Sequence, residues 1–340
     1  MPPPRSLPPA LLAGALSVSL AACGGGSSSP TGAASTARTA GATTGAGAAA
    51  SPAPAPVTLH ARATGRLPAP VQLPAVTARG PSVLAMGGLD AGDASVSSIV
   101  RVAGSHAAVI GQLPRALHDA AAATVAGASY FFGGGEAGAT SDAIVRIHPS
   151  GATSPAGQLP VGASDVTAAT IGGTAYIVGG YTGTVPLRSI LAFTPGSGVR
   201  AVGEMPRPLR YAAVAAVGGA VLIAGGTSGV TARREVLRFD PATGRVRRIA
   251  MLPSPLTHAA GAALGGRFFV LGGRGDGLDT QRATILAIDP ASGRITHAGH
   301  LPSAISDMSA ASLADRIVAL GGRDAAGQVH DQIWTLRGAR

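Results

Sequence analysis

Six Leu-Pro or Met-Pro pairs recur along this 340-residue chain, and five residues past each Pro stand Leu73, Asp119, Asp165, Tyr211, His258 and Asp307. Just before them come Gln72, His118, Ser164, Arg210, Thr257 and Ser306. Gathered in one place, these positions supply three carboxylates, two imidazoles, a guanidinium and a phenol. Such a set can grip a small polar ligand, a glycan or a peptide through ion pairs and hydrogen bonds. An acid and a base facing one another across a pocket can also move a proton. Asp and Ser at strand starts have a third use, which is to cap free backbone groups. All three roles stay open on residue type alone. Asp119, Asp165 and His258 are oxygen and nitrogen donors fit for a divalent cation, yet they come from separate repeats, so no metal site is assigned.

The elements that position these residues follow from a lattice. Nineteen residues after each Pro comes a Gly-Gly pair: Gly87-Gly88, Gly133-Gly134, Gly179-Gly180, Gly225-Gly226, Gly272-Gly273 and Gly321-Gly322. The period is 46, 46, 46, 47 and 49 residues, the range of propeller blades and helical solenoids. The content of each unit selects strands. A small-residue segment such as Ala212 to Val217 meets a two-residue break such as Gly218-Gly219, then an apolar run such as Val221-Leu222-Ile223. These runs are too short for helices and end in glycine, as buried strands do. A third, alternating strand (Arg234 to Phe239) stops at Asp240-Pro241-Ala242-Thr243-Gly244, a turn in which Pro presets φ and Gly takes the left-handed position. A fourth, more polar strand such as Arg245 to Met251 leads to the next Leu-Pro.

An even number of strands separates the loop after Leu-Pro from the loop after Gly-Gly, so both open on one face. There Glu136, Tyr181, Thr227, Arg274 and Arg323 hang over the ring of Asp, His, Arg and Tyr residues. The predicted fold class is all-β, with six blades of four antiparallel strands. The strand at 57–64 occupies a fourth-strand position before the first Leu-Pro, while the last repeat stops after a third strand. Pairing the two closes the ring and removes open edges.

The apolar run closed by Gly-Gly, the Phe-Asp-Pro-x-Thr-Gly turn and the Met-Pro or Leu-Pro linker resemble the Kelch repeat, over residues 57–340. That resemblance implies a six-bladed Kelch-type β-propeller with any site in its mouth. The Trp usual after the Asp-Pro turn is missing, and aromatics are only 3% of the chain, so Ala, Val, Leu and Ile must fill the blades. Exported relatives include copper radical oxidases resembling galactose oxidase, whose cofactor joins a Cys to a Tyr. The single cysteine here, Cys23, lies outside the repeats and disfavours that cofactor. A sugar-acting enzyme of epimerase or mutarotase type remains the alternative to a binding or scaffolding module. No cofactor is expected, and no phosphate loop, nucleophile elbow or zinc-ligand spacing occurs.

The first 56 residues are different material. Leu11 to Ala22 is apolar behind Arg5, too short to span a membrane, and reads as an export signal over 1–22. Leu20-Ala21-Ala22-Cys23 resembles the bacterial lipobox, which implies lipidation at Cys23 and an extracytoplasmic protein anchored to the cell envelope. Residues 23–56 are Gly, Ser, Ala, Thr and Pro with one charge, Arg38, a composition suited to a flexible linker. The net charge of +10 is carried by Arg without any Lys. It reflects either codon composition or attraction to anionic envelope polymers and lipid headgroups. Without aromatic stacking platforms or a concentrated Arg stripe, nucleic acid is not an expected partner. A monomer with a protein or glycan partner is. His297 and His300 are expected on opposite faces of a strand, as surface residues. Arg274-Gly275-Asp276 is read as a chance tripeptide in an exposed loop.

Overall fold

The computed structural model describes residues 57–338, all of them in strands, turns and loops. The expected signal peptide, Cys23 and the linker lie outside the described residues. Six four-stranded antiparallel sheets form the blades of a propeller. Blade 1 comprises Ala75–Arg79, Ser82–Met86, Ser98–Ala103 and His106–Gln112, from the innermost strand outward. Blade 4 comprises Ala213–Val217, Ala220–Ala224, Arg233–Asp240 and Arg245–Leu256. Blades 2, 3 and 5 repeat the order, with innermost strands Ala121–Val125, Thr167–Ile171 and Ala260–Leu264. In blade 6 the outer strand is Leu59–Arg66, paired antiparallel to Gln332–Gly338, so the start of the repeat region completes the last blade. Its observed limits sit two residues beyond the predicted 57–64.

The Gly-Gly pairs act as latches between blades. The second glycine of each pair donates its N–H to a carbonyl three residues past the Pro of the next blade's linker, at 2.8–2.9 Å, as from Gly180 to Leu209. The first glycine makes that approach possible: a Cβ on Gly179 would stand 2.2 Å from the same Leu209 oxygen. Both glycines have positive φ, 61° and 111° at this pair, a conformation that other residues adopt at a cost.

Phenylalanine is scarce but well placed. All six, Phe131, Phe132, Phe193, Phe239, Phe268 and Phe269, are fully buried. Phe193 meets Tyr130 and Phe132 edge-on across blades 2 and 3, with ring centroids 5.0 and 5.3 Å apart. Between blades 6 and 1 the core is instead Leu67, Val83, Ala85, Leu313, Val318 and Leu320.

One sequence expectation fails. In blade 5 His297 pairs with Leu286 and Gly299 with Ile285, leaving Ala298 as the extra residue of a β-bulge. The bulge resets the alternation of side chains. His297 and His300 therefore share a face, with their Nε2 atoms 3.2 Å apart.

Candidate functional site

The six residues at the inner-strand starts form a ring, and all have left-handed backbones: φ is 55° at Leu73, 54° at Asp119, 56° at Asp165, 55° at Tyr211, 55° at His258 and 60° at Asp307. Six such non-glycine residues at equivalent positions are a built feature, since each pays roughly 1–2 kcal/mol in local strain. The return is a partial belt that runs from Tyr211 through His258, Asp307 and Leu73 to Asp119. Leu73 donates its N–H to the Asp307 carbonyl, Asp119 to Leu73, His258 to Tyr211 and Asp307 to His258, at 2.7–3.4 Å. The preceding residues pair with the loops after Gly-Gly: Ser164 with Tyr181, Arg210 with Thr227, Thr257 with Arg274 and Ser306 with Arg323. Both loop sets thus open on one face, as the strand count requires.

The ring side chains answer one another. Arg210 Nε lies 2.5 Å from Asp165 Oδ2, a buried charge contact without hydrogen-bond alignment. Its guanidinium is sandwiched, 4.2 Å from the Tyr181 ring centroid and 4.8 Å from that of Tyr211. Arg210 Nη2 also donates to the Tyr211 hydroxyl at 3.1 Å, and that hydroxyl reaches Asp119 Oδ2 at 3.4 Å. The Tyr211 ring stacks on His258 at 3.8 Å. Arg274 Nη2 donates to His258 Nε2 at 3.2 Å, which leaves His258 Nδ1 to donate to Thr257 Oγ1 at 3.1 Å. The hydroxyl of Ser306 donates to Asp307.

Burial governs the protonation states. It pushes Asp119 well above the usual carboxylate range, and Asp165 and Asp307 add repulsion. Burial also raises Asp165 against the pull of Arg210, and Asp307 against the Ser306 hydrogen bond. His258 is driven well below its usual range by burial, then by Arg274 and Arg210. Burial lowers His118 too, against the opposing pull of Asp165. The Tyr211 phenol is held protonated by burial and by the charge of Asp119. Burial opposes the Arg210 charge, and Asp165 with Tyr211 outweighs it. With His258 neutral, its 3.8 Å approach to Asp307 is no ion pair.

The remaining expected residues divide. Tyr181 and Arg274 join the network. Arg323 reaches Asp93 at 3.2 Å, and Gln72 donates to the same carboxylate oxygen at 2.7 Å, tying blade 6 to blade 1. Glu136 sits on a short hairpin with its carboxylate held by Arg115, and does not line the chamber inside the ring. Asp93 and Ser95 were not foreseen; the Ser95 hydroxyl meets His118 Nδ1 at 2.8 Å. They stand in the loop after Gly-Gly, whose varying length hides their register. Asp276 of the Arg-Gly-Asp tripeptide is exposed, as expected of its loop, and its carboxylate accepts the Ala232 N–H at 2.5 Å, while Gly275 is buried.

The chamber enclosed by Leu73, Asp119, Asp165, Tyr211, His258 and Asp307 has a volume of about 80 Å³. Further along the axis the channel widens to about 260 Å³, walled by small residues such as Ala122, Ala168, Val214 and Gly261, with Thr124, Thr170 and Ser312 beyond. Among the described residues no group of three or more His, Cys, Asp or Glu side chains is placed to hold a metal ion.

These blades, latches and belt define a six-bladed β-propeller. Within it, residues 208–252 match the Kelch motif. Among solved structures, YjhT is similar in fold, with a TM-score of 0.69 at 14% identity, over 79% of this chain and 95% of that one. No curated protein matches the chain.

Proposed function

We propose that this chain is an extracytoplasmic Kelch propeller, tethered through lipid at Cys23, that serves as a binding and scaffolding module for a protein or glycan partner. The mouth carries the binding reading. Its polar side chains are spent on one another, and the chamber left directly among them is only about 80 Å³. A partner accordingly rests on the rim, on the loops that carry Tyr181, Thr227, Arg274 and Arg323, and makes contacts spread over several blades. A sugar-acting enzyme would need its acid and base turned toward a substrate-sized space. The tether rests on Leu20-Ala21-Ala22-Cys23 and on the glycine-, serine- and alanine-rich stretch that follows.

Photo-crosslinking from the rim loops on intact cells tests the reading. Capture of one partner is expected to survive any single loop substitution and to fail when three loops are changed together. Capture of nothing, combined with a melting shift by a free sugar that vanishes in Asp165→Asn, would transfer the case to the enzyme. Loss of the envelope fraction in Cys23→Ala checks the tether separately.

A further inference from the structure

The basic surplus of the chain is not spread around the propeller. Residues 188–248 hold ten arginines against three acidic residues, a surplus of seven. The other described residues, 57–187 and 249–338, hold thirteen of each and are neutral. Arg5, Arg38 and Arg340, outside the described residues, complete the net +10. The expectation that no stretch concentrates arginine is therefore wrong, and codon composition does not explain a surplus confined to one sector. That sector is the outer half of blade 3 and the whole of blade 4, whose outer strands touch.

Within it lies a groove of about 230 Å³. Its floor is Pro206, Leu209 and Leu237, and its walls are Arg207, Arg233 and Arg248, with Glu235 the one acidic member. The register-matched groove of blade 1 uses Pro68, Val71 and Val100, with Ala69, Val96, Ser98 and Val109 at the positions of Arg207, Arg233, Glu235 and Arg248. The same backbone notch is therefore mostly apolar in one blade, with Asp90 its one charged member, and lined by guanidinium in the other. Some of the sector's charge is already matched: Arg188 pairs with Glu204, Arg238 with Asp240, and Arg233 binds the Ser228 hydroxyl. Arg200, Arg207, Arg245, Arg247 and Arg248 are exposed and make no ion pair among the described residues.

We propose that this groove and the adjoining outer strand of blade 4 bind an acidic, extended peptide segment of a partner protein, at a site separate from the mouth. Guanidinium forks match carboxylates in a bidentate manner, and the sunken floor accepts one apolar side chain between them. Arg245–Leu256 is the edge strand of its sheet, and its first turn-proximal stretch, Arg245 to Arg248, lies beside the groove where an added strand can pair with it. Nucleic acid fits less well, because no aromatic ring lines the groove for base stacking and Glu235 would face phosphate. A membrane surface fits less well too, since Leu209 and Leu237 are buried in the floor and cannot insert.

The test is fluorescence anisotropy of the full chain with a labelled Glu-rich dodecamer carrying one central Leu, and with its Gln-for-Glu counterpart, at rising salt. The Glu peptide is expected to bind, to weaken steeply with salt, and to lose about tenfold in affinity in Arg207→Gln/Arg248→Gln. The control Arg101→Gln/Arg146→Gln, exposed on blades 1 and 2, should stay within about twofold of the parent. Equal binding of the Gln peptide, or unchanged affinity in the groove variant, overturns the proposal. So does binding of anionic phospholipid vesicles or an oligonucleotide that falls with the same substitutions while the peptide fails to bind. None of these outcomes depends on whether the mouth receives a partner.

Discussion

At the mouth, Arg210 is held against Asp165 and between two tyrosine rings, and the three carboxylates meet a hydroxyl, a phenol or a guanidinium. Along the outer face of blade 4, Arg207, Arg245, Arg247 and Arg248 stand in solvent with no acidic partner among the described residues. Both regions are rich in charge, and they differ in what the charge is free to do. Buried charge must be answered inside the fold, because desolvation left unmatched costs several kcal/mol. Exposed charge carries no such debt and keeps its capacity for a partner. Substitution in the mouth should therefore act on stability, and substitution along blade 4 on binding.

That contrast presupposes a closed ring, and the largest effect comes from opening it. Deleting residues 57–66 removes the outer strand of blade 6, exposes the edge of Gln332–Gly338 and takes Leu59 out of the core beside Trp334. No cooperative melting transition is expected, and light scattering should report aggregates; an unchanged melting temperature would refute the closure. Next is Asp165→Ala, which leaves the Arg210 guanidinium without its carboxylate. Because that side chain is 22% exposed, the loss is put at about 2–3 kcal/mol, below that of a fully buried pair, and is read from urea denaturation.

Asp119→Asn should move stability the other way. The folded state raises the Asp119 carboxyl, so it keeps a proton that the unfolded chain releases above pH ~4, and stability falls as pH rises through that window. Asn cannot ionise and suits a left-handed backbone. The variant is expected to be more stable at pH 7, with a flatter profile above pH ~4, read from urea denaturation across that range. His258 works in the opposite sense, since its lowered value makes stability fall as pH drops below about 6.5. The smallest effect is expected for Arg207→Gln/Arg248→Gln, within about 0.5 kcal/mol of the parent in the same denaturation experiment. A loss as large as that of Asp165→Ala would erase the distinction between the two regions.

The fold was legible because its signals are local and repeated. Gly218-Gly219, with φ of 58° and 74°, makes a tight hairpin wherever it sits in a chain. Asp240 and Asp289 set their turns with their own side chains, accepting the N–H of Ala242 and Ala291 at 3.0 and 3.1 Å. The ring positions were equally legible, since each is counted from a Pro. Beyond the adjacent pairs Arg210–Tyr211, Thr257–His258 and Ser306–Asp307, what those side chains contact was not, because the other partners come from another blade or from a loop of variable length, as Asp93 and Ser95 show. The His297 and His300 pairing was hidden by a bulge that strict alternation cannot anticipate.

By itself, then, the chain's sequence determined the number of blades, the register of each repeat and the pairing of its two ends, since spacing and turn chemistry act within a few residues. Only the tertiary structure decided which charges are answered and which are free. The blade 4 groove draws Arg207 from a linker, Arg233 from a third strand and Arg248 from a fourth, and the mouth draws Asp119, Asp165 and Arg210 from three blades. Electrostatic interaction depends on distance and burial through space, and neither quantity exists until the blades have closed into a ring.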